Sequence, residues 1–183
     1  MKRMFGEASR PFYDSALMMP LEKPPENDSR EFMISHFLDA GLKLKAELAN
    51  EIMAVSENIP YYLQEMASEV FEEVVLNERD EATADDVSAA TKTIIARNAE
   101  LYELRLSSFS DAKRAIVMAL ANGPISIFDE QCRRKYALPT GSTLHTALPE
   151  IVDSGVVERS EVGYRLADPF FARYLLTPPA KVF

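Results

Sequence analysis

The chain has no tryptophan, one cysteine and two histidines among its 183 residues. Cys132 has no intrachain partner, so packing rather than a disulfide must hold the fold, and a reducing cytoplasm is the expected compartment. His36 and His145 with a single thiol cannot assemble a His/Cys zinc centre within one chain. They also leave little from which to build a Ser/His/acid triad. No hydrophobic run approaches the ~20 residues of a membrane span. The basic start, Met1-Lys2-Arg3-Met4-Phe5-Gly6, is followed by Glu7 and Arg10, which interrupt the apolar stretch of a signal peptide. A soluble, cytoplasmic protein is therefore expected.

Cations are also scarce. Lys and Arg number 20 against 29 Asp and Glu, a net charge of −9. Phosphate backbones select basic surfaces, so a chain-wide grip on nucleic acid is excluded. The deficit is local, however. Residues 1–107 hold 11 basic and 21 acidic residues, whereas 108–183 hold 9 and 8. That asymmetry predicts two units with different tasks and leaves a local basic site open in the second. Apolar residues make up 47% of the chain, enough at this length for a core that needs no metal.

Residues 1–25 read as irregular, because Pro11, Pro20, Pro24 and Pro25 break any long helix, with a short extended piece at 16–21. Residues 26–107 read as four helices packed as a small bundle. The first covers about 29–40, with Asn27, Asp28 and Ser29 as cap oxygens, Phe32, Met33, Phe37 and Leu38 inward, and Gly41 as the left-handed stop. The second covers about 45–56 around Leu48, Ile52, Met53 and Val55. The third begins at Pro60, which suits a first turn, and carries Tyr62, Leu63, Met66, Val70, Phe71 and Val74. The fourth follows Thr83, which with Asp86 has the spacing of a capping box. Its stripe is Val87, Ala90, Ile94, Ile95, Leu101 and Leu104.

Residues 108–183 change rhythm. A helix capped by Ser110 or Asp111 runs to about 121, a short one covers about 128–136, and a third opens at Thr140 or Ser142 and closes at Gly155. Two β-prone runs then flank Ser160-Glu161-Val162-Gly163 and read as a hairpin. Three helices and a hairpin in this order predict a winged helix. A last helix at about 169–176 packs back, with Asp168 as its cap and Phe170 and Phe171 as its anchors. The fold class is thus mainly α: a small helical bundle followed by a winged-helix domain.

The third helix of a winged helix usually reads the groove. Thr140, Ser142, Thr143 and His145 lie on its candidate exposed face, Arg133, Arg134 and Lys135 precede it, and Arg159 and Arg165 flank the wing. Hydroxyls and cations so placed suit double-stranded DNA. Against this, no Lys or Arg occurs from Pro139 to Ser154, and Glu150, Asp153 and Glu161 would repel phosphate. A winged helix used for protein contact or dimerisation, in an adaptor or a free-standing regulator, remains the alternative. Cys132 reads as an inert core thiol, although Arg133 and Arg134 beside it would lower its pKa. The acidic run Glu69, Glu72, Glu73, Glu78, Asp80, Glu81, Asp85 and Asp86 lacks a calcium-loop pattern and reads as a solvated face and inter-helix loop.

Three stretches carry a resemblance. Arg10-Pro11-Phe12-Tyr13, Asn58-Ile59-Pro60-Tyr61-Tyr62-Leu63-Gln64, and Gly163-Tyr164-Arg165-Leu166 with Asp168-Pro169-Phe170-Phe171-Ala172-Arg173-Tyr174-Leu175 stand in order along the chain. Together they resemble the C-terminal part of prokaryotic, archaeal-type ATPases of the AAA+/STAND class, with their G-x-P-Y-Y-L turn and closing G-Y-R-x-x-D-P-F-F-x-x-W-L. The resemblance implies that residues 1–25 are the remnant of an ATPase core, 26–107 a helical lid and 108–183 a winged helix. It places Ile59, Pro60 and Tyr61 near nucleotide in the parent architecture and lets Tyr61 or Tyr62 stack on adenine. The departures are as informative. The chain has no G-x-x-x-x-G-K-S/T loop, no apolar strand ending in paired acids, and no Arg in the lid turn. No catalytic residue, metal ligand or resident cofactor is therefore expected. ATP and Mg²⁺ would bind only if the missing core were supplied, by a partner ATPase core or another copy.

Overall fold

A computed structural model describes residues 23–177. Among them are eight helices and one two-stranded sheet: α1 Glu26–Asp39, α2 Ala46–Ser56, α3 Pro60–Leu76, α4 Ala84–Ser107, α5 Asp111–Leu120, α6 Glu130–Lys135, α7 Gly141–Asp153, β1 Val157–Arg159, β2 Tyr164–Leu166 and α8 Pro169–Leu176. The chain is mainly α, a helical bundle followed by a winged helix. Residues 1–22 of the expected remnant at 1–25, with its extended piece at 16–21, lie outside the described residues.

The bundle core is formed by residues at helical spacing. Met33 and Phe37 of α1, Ile52 of α2, Met66, Val70 and Val74 of α3, and Val87, Ala90 and Ile94 of α4 are all buried. Two expectations are corrected. Helix α1 starts three residues early, capped by Pro25, whose carbonyl accepts the Ser29 N–H at 3.1 Å. Asn27, Asp28 and Ser29 are therefore inside the helix, not at its cap. Phe32 and Leu38 are exposed, as are Leu101 and Leu104 of α4. The inward stripe of α4 runs instead through Ile94 to Tyr102, which is 2% exposed.

Two loops pair at one end of the bundle. The Lys43 N–H donates to the Asp80 carbonyl at 2.7 Å, and the Ala82 N–H donates to the Lys43 carbonyl at 3.0 Å. Exposed Lys43–Asp80 and Lys45–Glu81 ion pairs flank this bridge and add little in water. Helix α4 starts where Asp86 accepts from the Thr83 N–H and hydroxyl, each at 2.8 Å. Arg79 grips the same carboxylate with both terminal nitrogens. Glu69, also buried, pairs with Arg97. Glu69 and Asp86 thus leave the solvated acidic face on which they were expected.

In the winged helix, Ser110 caps α5 and Asp129 caps α6. Strands β1 and β2 pair antiparallel with Val157 opposite Leu166. Ile125 adds a third edge by exchanging two 3.0 Å hydrogen bonds with Tyr164. Gly163 permits that approach: a Cβ there would lie 2.4 Å from the Ile125 carbonyl oxygen, at a φ of +154°. Helix α8 then folds back onto α4. Asp168 Oδ1 accepts the Phe170 and Phe171 N–H groups at 2.8 and 3.0 Å, while its Oδ2 accepts the Tyr102 hydroxyl at 3.1 Å. The Tyr102 ring meets Phe171 at 5.0 Å and Tyr174 at 5.2 Å, and Tyr62 meets Phe170 edge-on at 5.8 Å.

Two outcomes are expected. Gly163→Ala should destabilise the fold by about 1–3 kcal/mol in denaturant unfolding, because the methyl meets backbone and the φ is strained. The Arg79 guanidinium, by hydrogen bonding, holds the Asp86 carboxyl below its ordinary value, with the Thr83 bonds assisting and burial opposing. A depressed folded pKa stabilises above the unfolded value of about 3.9 and is lost as pH falls through the folded one. The stability gap between wild type and Asp86→Asn, followed by urea unfolding across pH, should accordingly shrink below about pH 4.

Candidate nucleic-acid interface

The candidate surface is built around the N-terminus of α7. Thr140 caps this helix with its backbone alone; its side chain makes no cap bond to the helix N–H groups. Its hydroxyl instead lies 3.2 Å from Ser142 Oγ and 3.1 Å from Thr143 Oγ1, so three exposed hydroxyls crowd the first turn. The uncapped N–H groups and the helix dipole favour an anion there. Gly141 brings Arg133 to the same place, since a Cβ on Gly141 would lie 3.9 Å from Arg133 Nη1. The Arg133 Nε is buried and has no hydrogen-bond partner.

The other predicted cations divide. Arg134 pairs with Glu130 at 2.5 Å on the exposed side of α6. Lys135 sits 4.8 Å from the Tyr136 ring centroid. Arg159 is exposed on β1. Arg165, in contrast, is drawn away: its guanidinium bridges Glu158 on β1 and Glu57 in the α2–α3 turn, and its side chain is 19% exposed. Of the acids expected to repel phosphate, Glu150 is paired with Lys113 at 2.5 Å. Glu161 is exposed at the wing tip.

His145, expected as an isolated polar residue, has a neighbour that the sequence did not reveal. The Phe128 ring stacks on it with centroids 4.7 Å apart and an interplanar angle of 28°. Phe128 also meets Tyr164 of the wing at 6.5 Å, edge to face. It is 39% exposed. From spacing alone Phe128 was only the start of α6. Its position five residues before the basic run Arg133-Arg134-Lys135 was the available signal.

The second candidate group, Ile59, Pro60 and Tyr61, lies at the start of α3, where Pro60 and Tyr61 are exposed and Ile59 half-buried. Tyr61 and Tyr62 meet edge-on at 5.1 Å. Only Tyr62 turns inward, against Phe170. The preceding Glu57 and Asn58 have φ of +53° and +52°. Asn58 Nδ2 donates to the Pro24 carbonyl at 2.8 Å, and Lys23 Nζ donates to the Glu57 carbonyl at 2.5 Å. A groove of about 760 Å³ opens between α1 and α3 beside the exposed Phe32. Cys132 is half-buried, and its thiol is raised by burial and then by Asp129, so Arg133 and Arg134 do not make it reactive. Among the described residues no group of three or more His, Cys, Asp or Glu is placed to hold a metal ion. No helix among them is long and apolar enough to cross a membrane.

Residues 100–177 match the family described as a probable winged helix domain. That match begins inside α4 and covers the candidate surface. No curated protein matches the chain. Among solved structures, the Walker-type ATPase of Pyrococcus abyssi is similar, with a TM-score of 0.66 and 21% identity over 93% of this chain and 47% of that one. RuvB variants of Thermotoga maritima align with TM-scores of 0.41 and 0.40, at 13% and 14% identity, over 80% of this chain and 47% of theirs. The chain thus spans about half the length of these proteins, and the first of them shares its fold.

Arg165→Gln should destabilise the chain by about 1–3 kcal/mol in urea unfolding, the usual cost of losing charge-assisted bonds. It should also accelerate amide exchange in β1 and β2, measured by mass spectrometry.

Proposed function

We propose that this chain is a non-catalytic regulatory part of an ATPase-like protein, and that its winged helix binds double-stranded DNA. The observation that carries the DNA reading is the first turn of α7. Uncapped N–H groups, three exposed hydroxyls and the Arg133 head converge there, the combination that fixes a phosphate and aims a helix at a groove. Arg134, Lys135 and Arg159 add cations, and His145 offers a base contact. Arg165 serves the wing's attachment to the bundle.

The ATPase-like reading rests on the ordered motifs and on the shared fold with the Pyrococcus abyssi protein. Under it, residues 26–107 act as a lid, with Ile59, Pro60 and Tyr61 facing nucleotide when a core is present. Residues 108–183 form the winged helix. Without a phosphate-cradling loop the chain itself holds neither ATP nor Mg²⁺ and hydrolyses nothing. The scarcity of cysteine supports a cytoplasmic setting. One observation favours the second reading, a winged helix used for protein contact or self-association. The wing tip presents Glu161 and the 65% exposed Val162, and its nearby Arg165 is withdrawn.

A fluorescence titration with short duplex DNA tests the reading. Affinity should fall as salt rises, and Arg133→Gln should weaken binding to all sequences alike and reduce the salt slope by about 1. Absence of binding at low salt, with light scattering showing a stable dimer, would replace DNA by protein contact.

A further inference from the structure

We propose that the winged helix takes DNA with unpaired bases beside a duplex, and that Phe128 is the platform on which an unpaired base stacks. The inference rests on the DNA reading above and specifies its substrate.

The observations come from the surface between α7 and the wing. Phe128 lies with one face on the His145 imidazole, at 4.7 Å and 28°, and its edge relation to Tyr164 fixes it against β2. A ring held on one face by a parallel neighbour has a fixed plane and loses little freedom when a second ring stacks on it. Phe128 is 39% exposed despite both contacts. The polar requirements of a strand surround it. Two residues later α6 begins, and that helix ends in Arg133-Arg134-Lys135, whose Arg133 reaches the first turn of α7.

Charge favours a base over a duplex backbone as the main contact. The reading helix has no cation from Pro139 to Ser154, and Arg165 is occupied by Glu57 and Glu158. A surface with few cations gains little from the dense charge of a duplex. Stacking is independent of that deficit and tolerant of base identity, and it contributes to single-strand binding wherever aromatic rings are presented with a modest basic track. A purely apolar protein contact would need bulk at this position but no ring.

The full chain is titrated with a short blunt duplex and with the same duplex carrying a few unpaired nucleotides, 2-aminopurine being the first of them. The tailed duplex should bind roughly 5- to 100-fold more tightly, and the 2-aminopurine emission should be quenched on binding. Phe128→Ala should erase the preference, so that tailed and blunt duplexes bind this variant alike. Phe128→Tyr should keep the preference. Phe128→Leu, which retains apolar bulk but lacks a π face, should lose it. Circular dichroism melting of each variant confirms that it is folded. Equal affinity for blunt and tailed DNA overturns the proposal and leaves duplex binding standing. A preference that survives in Phe128→Leu overturns the stacking role. No binding to either DNA at low salt overturns both this proposal and the DNA reading.

Discussion

The Asp168 carboxylate is the point on which the rest of the structure depends. One oxygen caps α8 through the Phe170 and Phe171 N–H groups, and the other receives the Tyr102 hydroxyl from α4. A helix of eight residues has no independent stability in water, so α8 persists only because it is capped and buried. Phe170 and Phe171 are fully buried, and Tyr62 and Tyr102 come from the bundle to meet them. The same electrostatics appear in the two tyrosines. Burial, and then the nearby Asp168 charge, push both phenols upward, so both remain neutral. The end of the winged helix and the middle of the bundle are therefore one packing unit, and the family match accordingly begins inside α4 rather than after it.

That shared seam gives the net charge a different meaning. The acidity of the first part is partly consumed within it. Asp86 and Glu69 are buried against Arg79 and Arg97, and exposed Asp80 and Glu81 meet Lys43 and Lys45. A cation of the second part is consumed as well, Arg165 by Glu57 and Glu158. Counting charges by segment therefore misjudges both surfaces. What matters at α7 is which groups remain without internal partners: the N–H groups of the first turn, which no side chain caps, and Arg133 Nε.

Much of the fold was legible because its signals are local. Pro60 at a first turn, Thr83 with Asp86, Asp168 with Pro169, and the Gly163 hairpin each state their geometry in two to four residues. The misassignments share a cause. Phe32, Leu38, Leu101 and Leu104 are apolar at helical spacing, yet the stripe of each helix is chosen by what it packs against. Tyr102 displaced Leu101 and Leu104 because Asp168, 66 residues away, supplies its hydroxyl with an acceptor. In the candidate site, the helix and its polar residues could be read from sequence. The Phe128–His145 stack and the Arg165–Glu57 pair could not, being contacts between separate elements with no periodicity to announce them.

The α2–α3 turn shows what those distant contacts achieve. Glu57 and Asn58 both adopt left-handed backbone, which costs about 1–2 kcal/mol for a residue such as Glu and less for Asn. No glycine relieves this turn, so its surroundings must hold it. Lys23 takes the Glu57 carbonyl, the Asn58 amide reaches the Pro24 carbonyl, and Arg165 reaches the Glu57 carboxylate from the wing. Three restraints from two distant parts of the chain thus meet on a strained pair that immediately precedes Ile59, Pro60 and Tyr61. Displacing α3 at its N-terminus would pull on Glu57 and hence on β2, while displacing the wing would release the restraint on the turn. Because Asp168 already fixes α8 to α4, such a displacement cannot be absorbed by a loose linker and must be shared between bundle and wing.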